Sequence, residues 1–275
     1  MTISSDSSLH PAAPHPAAAH PAAPHPAAAH PAAPPTASSL AAAPTELVVL
    51  DMAGTTVVDD GGVETAFRRA AERTGVADRM PWDDALAHVR ATMGQSKIDV
   101  FTHLAGGDRA AAERATAAFE GAYAEIVAEQ GVSEIPGAAQ AIQGLKDAGL
   151  AVVLTTGFAP VTRDALIEGL GWRDLVDLAL SPIDAGRGRP APDLVLTAAI
   201  RSRVSSMSAV AVVGDTASDV ESGRRAGAGF VAGVLTGAHD LHTLVAAGAD
   251  AVLADVTALH DVLAERGLLA AARTV

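Results

Sequence analysis

Apolar and polar positions fall into two rhythms along the chain. Short apolar runs rich in Val recur at Leu47–Leu50, Ala151–Leu154 and Ala209–Val213, with a further one at Gly229–Val234. Between them, apolar residues return every three or four positions, the period of a helix. Runs that are apolar at every position read as strands buried on both faces, as in a parallel sheet. Short strands are expected at Leu178–Leu180 and Ala251–Leu253. Helices are expected over Pro136–Ala148, Ala159–Leu170, Asp193–Arg203, Val220–Ala226, Asp240–Ala247 and Thr257–Arg266. Pro136 and Gly137 mark the start of the first of these helices and Gly149 its stop. Apolar strands separated by helices predict an α/β fold, a doubly wound parallel sheet with functional groups at the strand C-terminal ends.

One block breaks the alternation. Asp59-Asp60-Gly61-Gly62 reads as a turn. From there to residue 130 the pattern is helical throughout, with helices expected over Glu64–Thr74, Asp83–Met93, Ser96–Leu104 and Ala110–Glu129. An all-helical block placed after the first strand is read as an inserted cap domain over 61–134. The core is then 45–60 together with 135–275. Ahead of it, residues 1–44 are low complexity. His-Pro-Ala-Ala-Pro and His-Pro-Ala-Ala-Ala alternate, with His10, His15, His20, His25 and His30 in step. Proline at every turn forbids a helix and alanine alone builds no core, so this segment is expected to be a disordered, polyproline-like tail.

Composition narrows the chemistry. About half of the 275 residues are apolar but aromatics are scarce, so packing must rest on Ala, Val and Leu. The net charge of -13 argues against a nucleic-acid or anionic-membrane surface. With no cysteine, disulfides, thiolate nucleophiles and Cys-ligated zinc are excluded. No apolar run approaches the roughly 20 residues of a membrane span, and the first basic residue is Arg68; the chain reads as cytoplasmic. Lys97 and Lys146 are the only lysines. Lysine is needed where an amine must lose its proton, which arginine does not do. Lys146 looks like helix surface, and Lys97 is the residue to watch.

Three strands end in polar residues of different kinds. Asp51 ends the first, Thr155 and Thr156 the second, and Asp215 followed by Asp219 the third. Carboxylates gathered in one cleft need a cation, and oxygen-only ligands suit Mg²⁺. The hydroxyls of Thr55 and Thr155, with backbone N–H groups at Met52–Gly54 and Thr156–Gly157, form a cradle for a phosphoryl group. The segment Gly186-Arg187-Gly188-Arg189-Pro190-Ala191-Pro192 adds two guanidinium groups, either of which would balance charge there.

This ensemble resembles the haloacid dehalogenase superfamily of Mg²⁺-dependent phosphotransferases from about Thr45 to Arg266. The residues carrying it are Asp51 to Thr55 after a strand, Thr155 after a second strand, Arg189 before Pro190-Ala191-Pro192, and Gly214, Asp215 and Asp219. The resemblance implies that Asp51 is the nucleophile and forms an aspartyl-phosphate. It implies Mg²⁺ ligation by Asp51, the Ala53 carbonyl and Asp215, with Asp219 in support.

Position 53 departs from the common pattern. Most phosphatases of the superfamily carry there an Asp that protonates the leaving oxygen, and losing such an acid costs on the order of 10²–10⁴ in rate. Here it is Ala53. Asp-x-Ala-Gly-Thr resembles instead the phosphonatase-like branch, in which a P–C bond is cut and a cap lysine forms a Schiff base with the substrate aldehyde. Met93-Gly94-Gln95-Ser96-Lys97-Ile98-Asp99 matches the cap motif of that branch, which puts Lys97 at the Schiff-base position and Met93 beside the substrate. Phe158 stands where the branch has Tyr, and Val100 where it has His. The resemblance implies a small phosphonate aldehyde such as phosphonoacetaldehyde as substrate, with a small phosphate monoester as the alternative, and a homodimer through cap helices.

Overall fold

Val48 and Leu50 pack into the apolar core on one face of a sheet, and Leu47 and Val49 into that on the other. Successive side chains of a strand point to opposite faces, so a strand apolar at every position is buried on both. This strand, β1 (Leu47–Asp51), lies at the centre of a six-stranded sheet in a computed structural model that describes residues 43–270. All but the last two residues of the expected tail, 1–44, lie outside the described residues.

The other strands are β2 (Ala151–Thr155), β3 (Leu178–Leu180), β4 (Val210–Gly214), β5 (Phe230–Val234) and β6 (Ala251–Leu253). Their order is β3-β2-β1-β4-β5-β6, and every pairing is parallel. From β1 the chain winds first toward β3 and then, on the opposite side, toward β6. The reversal point lies between β1 and β4, where an open α/β sheet forms its ligand crevice. Register aligns Asp51 with Thr155 and Leu50 with Val213, so the residues following each strand share one edge.

Between β1 and β2 lie α1 (Gly62–Thr74), α2 (Trp82–Ala91), α3 (Lys97–Leu104), α4 (Arg109–Gln130) and α5 (Ala138–Asp147). The first four form the helical insertion. Small residues on its inner faces, among them Ala66, Ala70, Ala112, Ala115 and Ala122, are fully buried, which brings α1 and α4 close together around a Phe67–Phe101–Phe119 cluster. The two connections to the sheet run side by side. Val58 donates its amide to the Ser133 carbonyl at 2.9 Å, and Ile135 donates to Thr56 at 2.9 Å.

The remaining helices are α6 (Pro160–Gly169), α7 (Pro182–Ala185), α8 (Asp193–Ser202), α9 (Ala217–Ala226), α10 (Leu241–Ala246) and α11 (Leu259–Glu265). The single turn α7 is not apparent from periodicity, being too short to display one. Among the described residues, no helix is long and apolar enough to cross a membrane.

Candidate active site

The loop after β1 is drawn tight by one acceptor. The Met52 carbonyl receives the amides of Thr55, Thr56 and Val57 at 3.2, 2.9 and 2.7 Å. Gly54 completes the turn at φ +82°, and a methyl group there would lie 2.5 Å from Asp215 Oδ2. Only glycine allows the first loop to come this close to the carboxylate that follows β4. Asp215 is fixed in turn, its Oδ2 accepting the Ala238 amide at 2.7 Å and its Oδ1 the Thr55 hydroxyl at 3.3 Å.

Behind these carboxylates lies Arg189, which is 3% exposed. Its Nη1 meets Asp51 Oδ1 at 2.6 Å and also pairs with Asp219. Its Nε and Nη2 are buried without a hydrogen-bond partner among the described residues. Asp219 spends its other oxygen on the Thr216 amide and hydroxyl, closing the capping box that starts α9. Removing one partner of such a buried pair leaves an uncompensated charge, which costs several kcal/mol, about 3–5 in typical cases.

Burial pushes the Asp51 carboxyl up to about 7, with Arg189 pulling it down and Asp219 pushing it further up. Asp215 is raised well above the usual carboxylate range by burial, then by the charges of Asp51 and Asp219. Asp51, Asp215 and the Ala53 backbone line one cavity of about 180 Å³. Two crowded carboxylates with a backbone carbonyl fit a hard divalent cation. Magnesium commonly takes one or two carboxylates and completes its shell with water and phosphate oxygens. No group of three or more acidic or histidine side chains placed to hold a metal ion occurs among the described residues.

The opposite wall of the cavity belongs to the insertion. Lys97, the first residue of α3, is only 6% exposed. Its Nζ lies 5.5, 5.4 and 5.1 Å from the ring centroids of Phe67, Phe119 and Phe158. It makes no hydrogen bond or ion pair to another described residue, and Lys97 lines the same cavity as Asp51. Burial lowers its amine to about 8; Glu120, Asp51 and Asp59 pull it up, and Arg189 pulls it down. Beside the cavity the insertion touches the core directly. A methyl group on Gly157 would lie 2.6 Å from the Gln95 carbonyl oxygen, and one on Gly188 would lie 2.6 Å from Ser96 Cβ.

Of the residues expected from sequence, Asp51, Ala53, Gly54, Met93, Lys97, Thr156, Gly157 and Asp215 line this cavity. Five do not, each for a visible reason. Thr155 is the last residue of β2 and turns its hydroxyl to the Leu50 carbonyl at 3.4 Å; the next residue, Thr156, faces the cavity. Thr55 is fully buried and orients Asp215. Asp219 is held by Arg189 and its capping box, and Arg189 reaches Asp51 from behind. Arg187 is an exposed loop charge paired with Asp193 at 2.8 Å. In the phosphoryl cradle, the Gly54 amide is taken by Val57 at 2.8 Å and the Thr156 amide by Leu180 at 3.1 Å. Those of Ala53 and Gly157 make no such bond among the described residues.

A haloacid dehalogenase-like hydrolase family model matches residues 45–227, about two thirds of the chain. The chain belongs to this family. It is 30% identical over 206 residues to a probable phosphatase, IndB, of Dickeya dadantii (strain 3937), covering 73% of this chain and 86% of that protein. It is 29% identical over 211 residues to a phosphonoacetaldehyde hydrolase of Bordetella pertussis, covering 70% and 73%. In fold it is similar to a phosphonoacetaldehyde hydrolase-like protein from Oleispira antarctica, with a TM-score of 0.70 at 25% identity over 84% of this chain and 95% of that one. The protein is therefore a haloacid dehalogenase-like hydrolase, phosphatase-like or phosphonatase-like.

Three features of this haloacid dehalogenase-like site are not anticipated from sequence. Phe67, Phe119 and Phe158 converge on Lys97 from three distant segments. Glu120 on α4 reaches the N-terminus of α6, accepting the Ala159 amide at 3.0 Å and the Thr162 hydroxyl. Asp59, read as part of a turn, lines the cavity. An acidic doublet after the first motif was the one visible signal for Asp59, and turn composition masked it.

Proposed function

We propose that this hydrolase cleaves the P–C bond of a small phosphonate aldehyde, with Asp51 as nucleophile and Lys97 as Schiff base, the helical insertion over 61–134 serving as the cap. The observation that carries the reading is Lys97: a buried amine without a hydrogen-bond partner among the described residues, opening onto the cavity that Asp51 also lines. An ammonium so placed is costly, and a neutral amine is a nucleophile. Ala53 supports the same reading, because a carbon leaving group stabilised as an enamine needs no acid at that position.

In this mechanism the Lys97 amine adds to the aldehyde carbon and expels water, giving an iminium conjugated to the P–C bond. Asp51 attacks phosphorus; the P–C electron pair moves into the iminium, leaving an enamine on Lys97 and an acyl phosphate on Asp51. Water then hydrolyses both, and the sum is phosphonoacetaldehyde plus water giving acetaldehyde plus phosphate. Arg189 holds Asp51 in line and offsets its charge. The unspent amides of Ala53 and Gly157 are the donors for phosphoryl oxygens. A magnesium ion bound by Asp51, Asp215 and the Ala53 carbonyl would neutralise phosphoryl charge.

The second reading, a phosphatase for a small phosphoester, is favoured by the similarity to the probable phosphatase of Dickeya dadantii. Phosphate release from phosphonoacetaldehyde with Mg²⁺, with and without borohydride, separates the two. The expected outcome is rapid release that borohydride stops by reducing the adduct onto Lys97. Release unaffected by borohydride, or hydrolysis of an aryl phosphate alone, would leave the phosphatase reading in its place.

A further inference from the structure

Iminium formation needs a proton donor for the departing hydroxyl, and iminium hydrolysis needs an acceptor for a proton of water. Lys97 itself serves neither role. Val100, one turn further along α3, is 3% exposed in the apolar core and offers nothing. Four ionisable groups act on the Lys97 amine: Glu120 from α4, Arg189 and Asp51 from the core, and Asp59 from the segment joining core to insertion. Arg189 has no acceptor, and Asp51 is bound to it and faces phosphorus. Glu120 has both oxygens engaged, one by the Ala159 amide and one by the Thr162 hydroxyl.

Asp59 is different. Its Oδ1 accepts the Val63 amide at 3.0 Å, which holds the carboxyl in place at the start of α1. Its other oxygen has no hydrogen-bond partner among the described residues, and the side chain lines the cavity of Lys97 and Asp51. We propose that Asp59 is the general acid–base residue that serves Lys97. The proposal rests on the Schiff-base reading above and adds to it the group that moves the proton.

The step balances. A neutral carbinolamine on Lys97 and a protonated Asp59 give the iminium, water and the Asp59 carboxylate; the proton goes to the leaving hydroxyl, and the nitrogen lone pair forms the new bond. After P–C cleavage the enamine carbon takes a proton from solvent, offset by the proton released when the acyl phosphate is hydrolysed. The Asp59 carboxylate takes a proton from the water that attacks the resulting iminium, which regenerates protonated Asp59. Burial raises the Asp59 carboxyl above its ordinary range, and the neighbouring Asp60 charge pushes the same way; the Val63 and Gly62 amides and Lys97 pull it down. The phenol of Tyr123 on α4 also faces it. Burial thus favours the protonated form relative to a free carboxyl, the direction an acid needs.

The test uses the full chain with Mg²⁺ and phosphonoacetaldehyde. Adduct on Lys97 is trapped with borohydride and quantified by mass spectrometry for the native protein, Asp59→Asn and Asp59→Ser. Both variants keep an oxygen for the Val63 amide, and thermal unfolding reports whether they fold. The expected result is trapping about 10²-fold slower or more, the usual contribution of an acid–base group. Formate is expected to restore part of the rate in Asp59→Ser, which a structural role would not allow. Trapping at the native rate in a folded variant, or slow trapping that formate leaves untouched, overturns the proposal. No adduct on the native protein overturns the Schiff-base reading itself, an outcome distinct from the other two.

Discussion

Three phenyl rings around an amine remove the water that would hold its charge, while their faces still attract a cation weakly. At Lys97 burial outweighs that attraction and the surrounding carboxylates, and the amine sits near 8. The neutral form therefore grows as pH rises through about 8. Trapping by borohydride is expected to climb about tenfold per pH unit below that value and to level above it; a profile flat from pH 6 to 9 would contradict the assignment. Lys97→Arg keeps the charge but cannot lose its proton. Loss of all trapping and of phosphate release from phosphonoacetaldehyde is expected, scored by mass spectrometry and phosphate assay. At this scale the sequence was partly legible. Asp51 and Asp215 could be read because each follows an apolar run that can only be a buried strand. Thr155 is expected at the site as the motif's threonine, whereas Thr156 lines the cavity; two hydroxyls at a strand end differ only in which face they take, and a shift of one residue exchanges the faces. The cage around Lys97 left no local trace, because its rings come from positions 67, 119 and 158.

The elements meet where side chains are smallest. Gly157, just beyond β2, touches the Gln95 carbonyl of the insertion, and backbone cannot yield as a side chain can. Gly157→Ala is expected to hold the insertion away from the sheet edge and to lower kcat/KM by on the order of 10²-fold, as an ångström of misplacement does near reacting atoms. Steady-state kinetics beside a melting curve would show loss of turnover in a folded protein. Glu120 ties the same two parts by capping α6 from α4. Glu120→Ala removes that cap and is expected to cost about 1–2 kcal/mol, read from the urea midpoint at unchanged slope. Helix positions were legible from period and breakers, and their ends less so. The helix expected from Val220 begins at Ala217, because Thr216 and Asp219 form a capping box. That Thr-x-x-Asp spacing stood in the sequence, but the chemistry of Asp219 drew attention from its second task.

At the scale of the whole molecule, a sheet with its central strand first leaves the reactive edge accessible from one side, and the helical insertion occupies that side. Fully apolar strands alternating with helices made the doubly wound sheet legible, and the unbroken helical run made the insertion legible. The contact between them was not, because it depends on glycines and on single polar atoms rather than on periodic patterns. The paired connections at Thr56–Val58 and Ser133–Ile135 have a further consequence. The insertion leaves and rejoins the sheet one hydrogen bond apart, so its length is almost free to vary; closing a loop between fixed ends costs only a logarithm of its size. The neck is thus a grafting point. A different helical module joined at residues 58 and 133 would inherit Asp51, Asp215 and Arg189 undisturbed and would bring its own residues to the mouth of the cavity. On the reading proposed above, phosphoryl chemistry and substrate choice would reside on separable lengths of chain, and the second could be exchanged without redesigning the first.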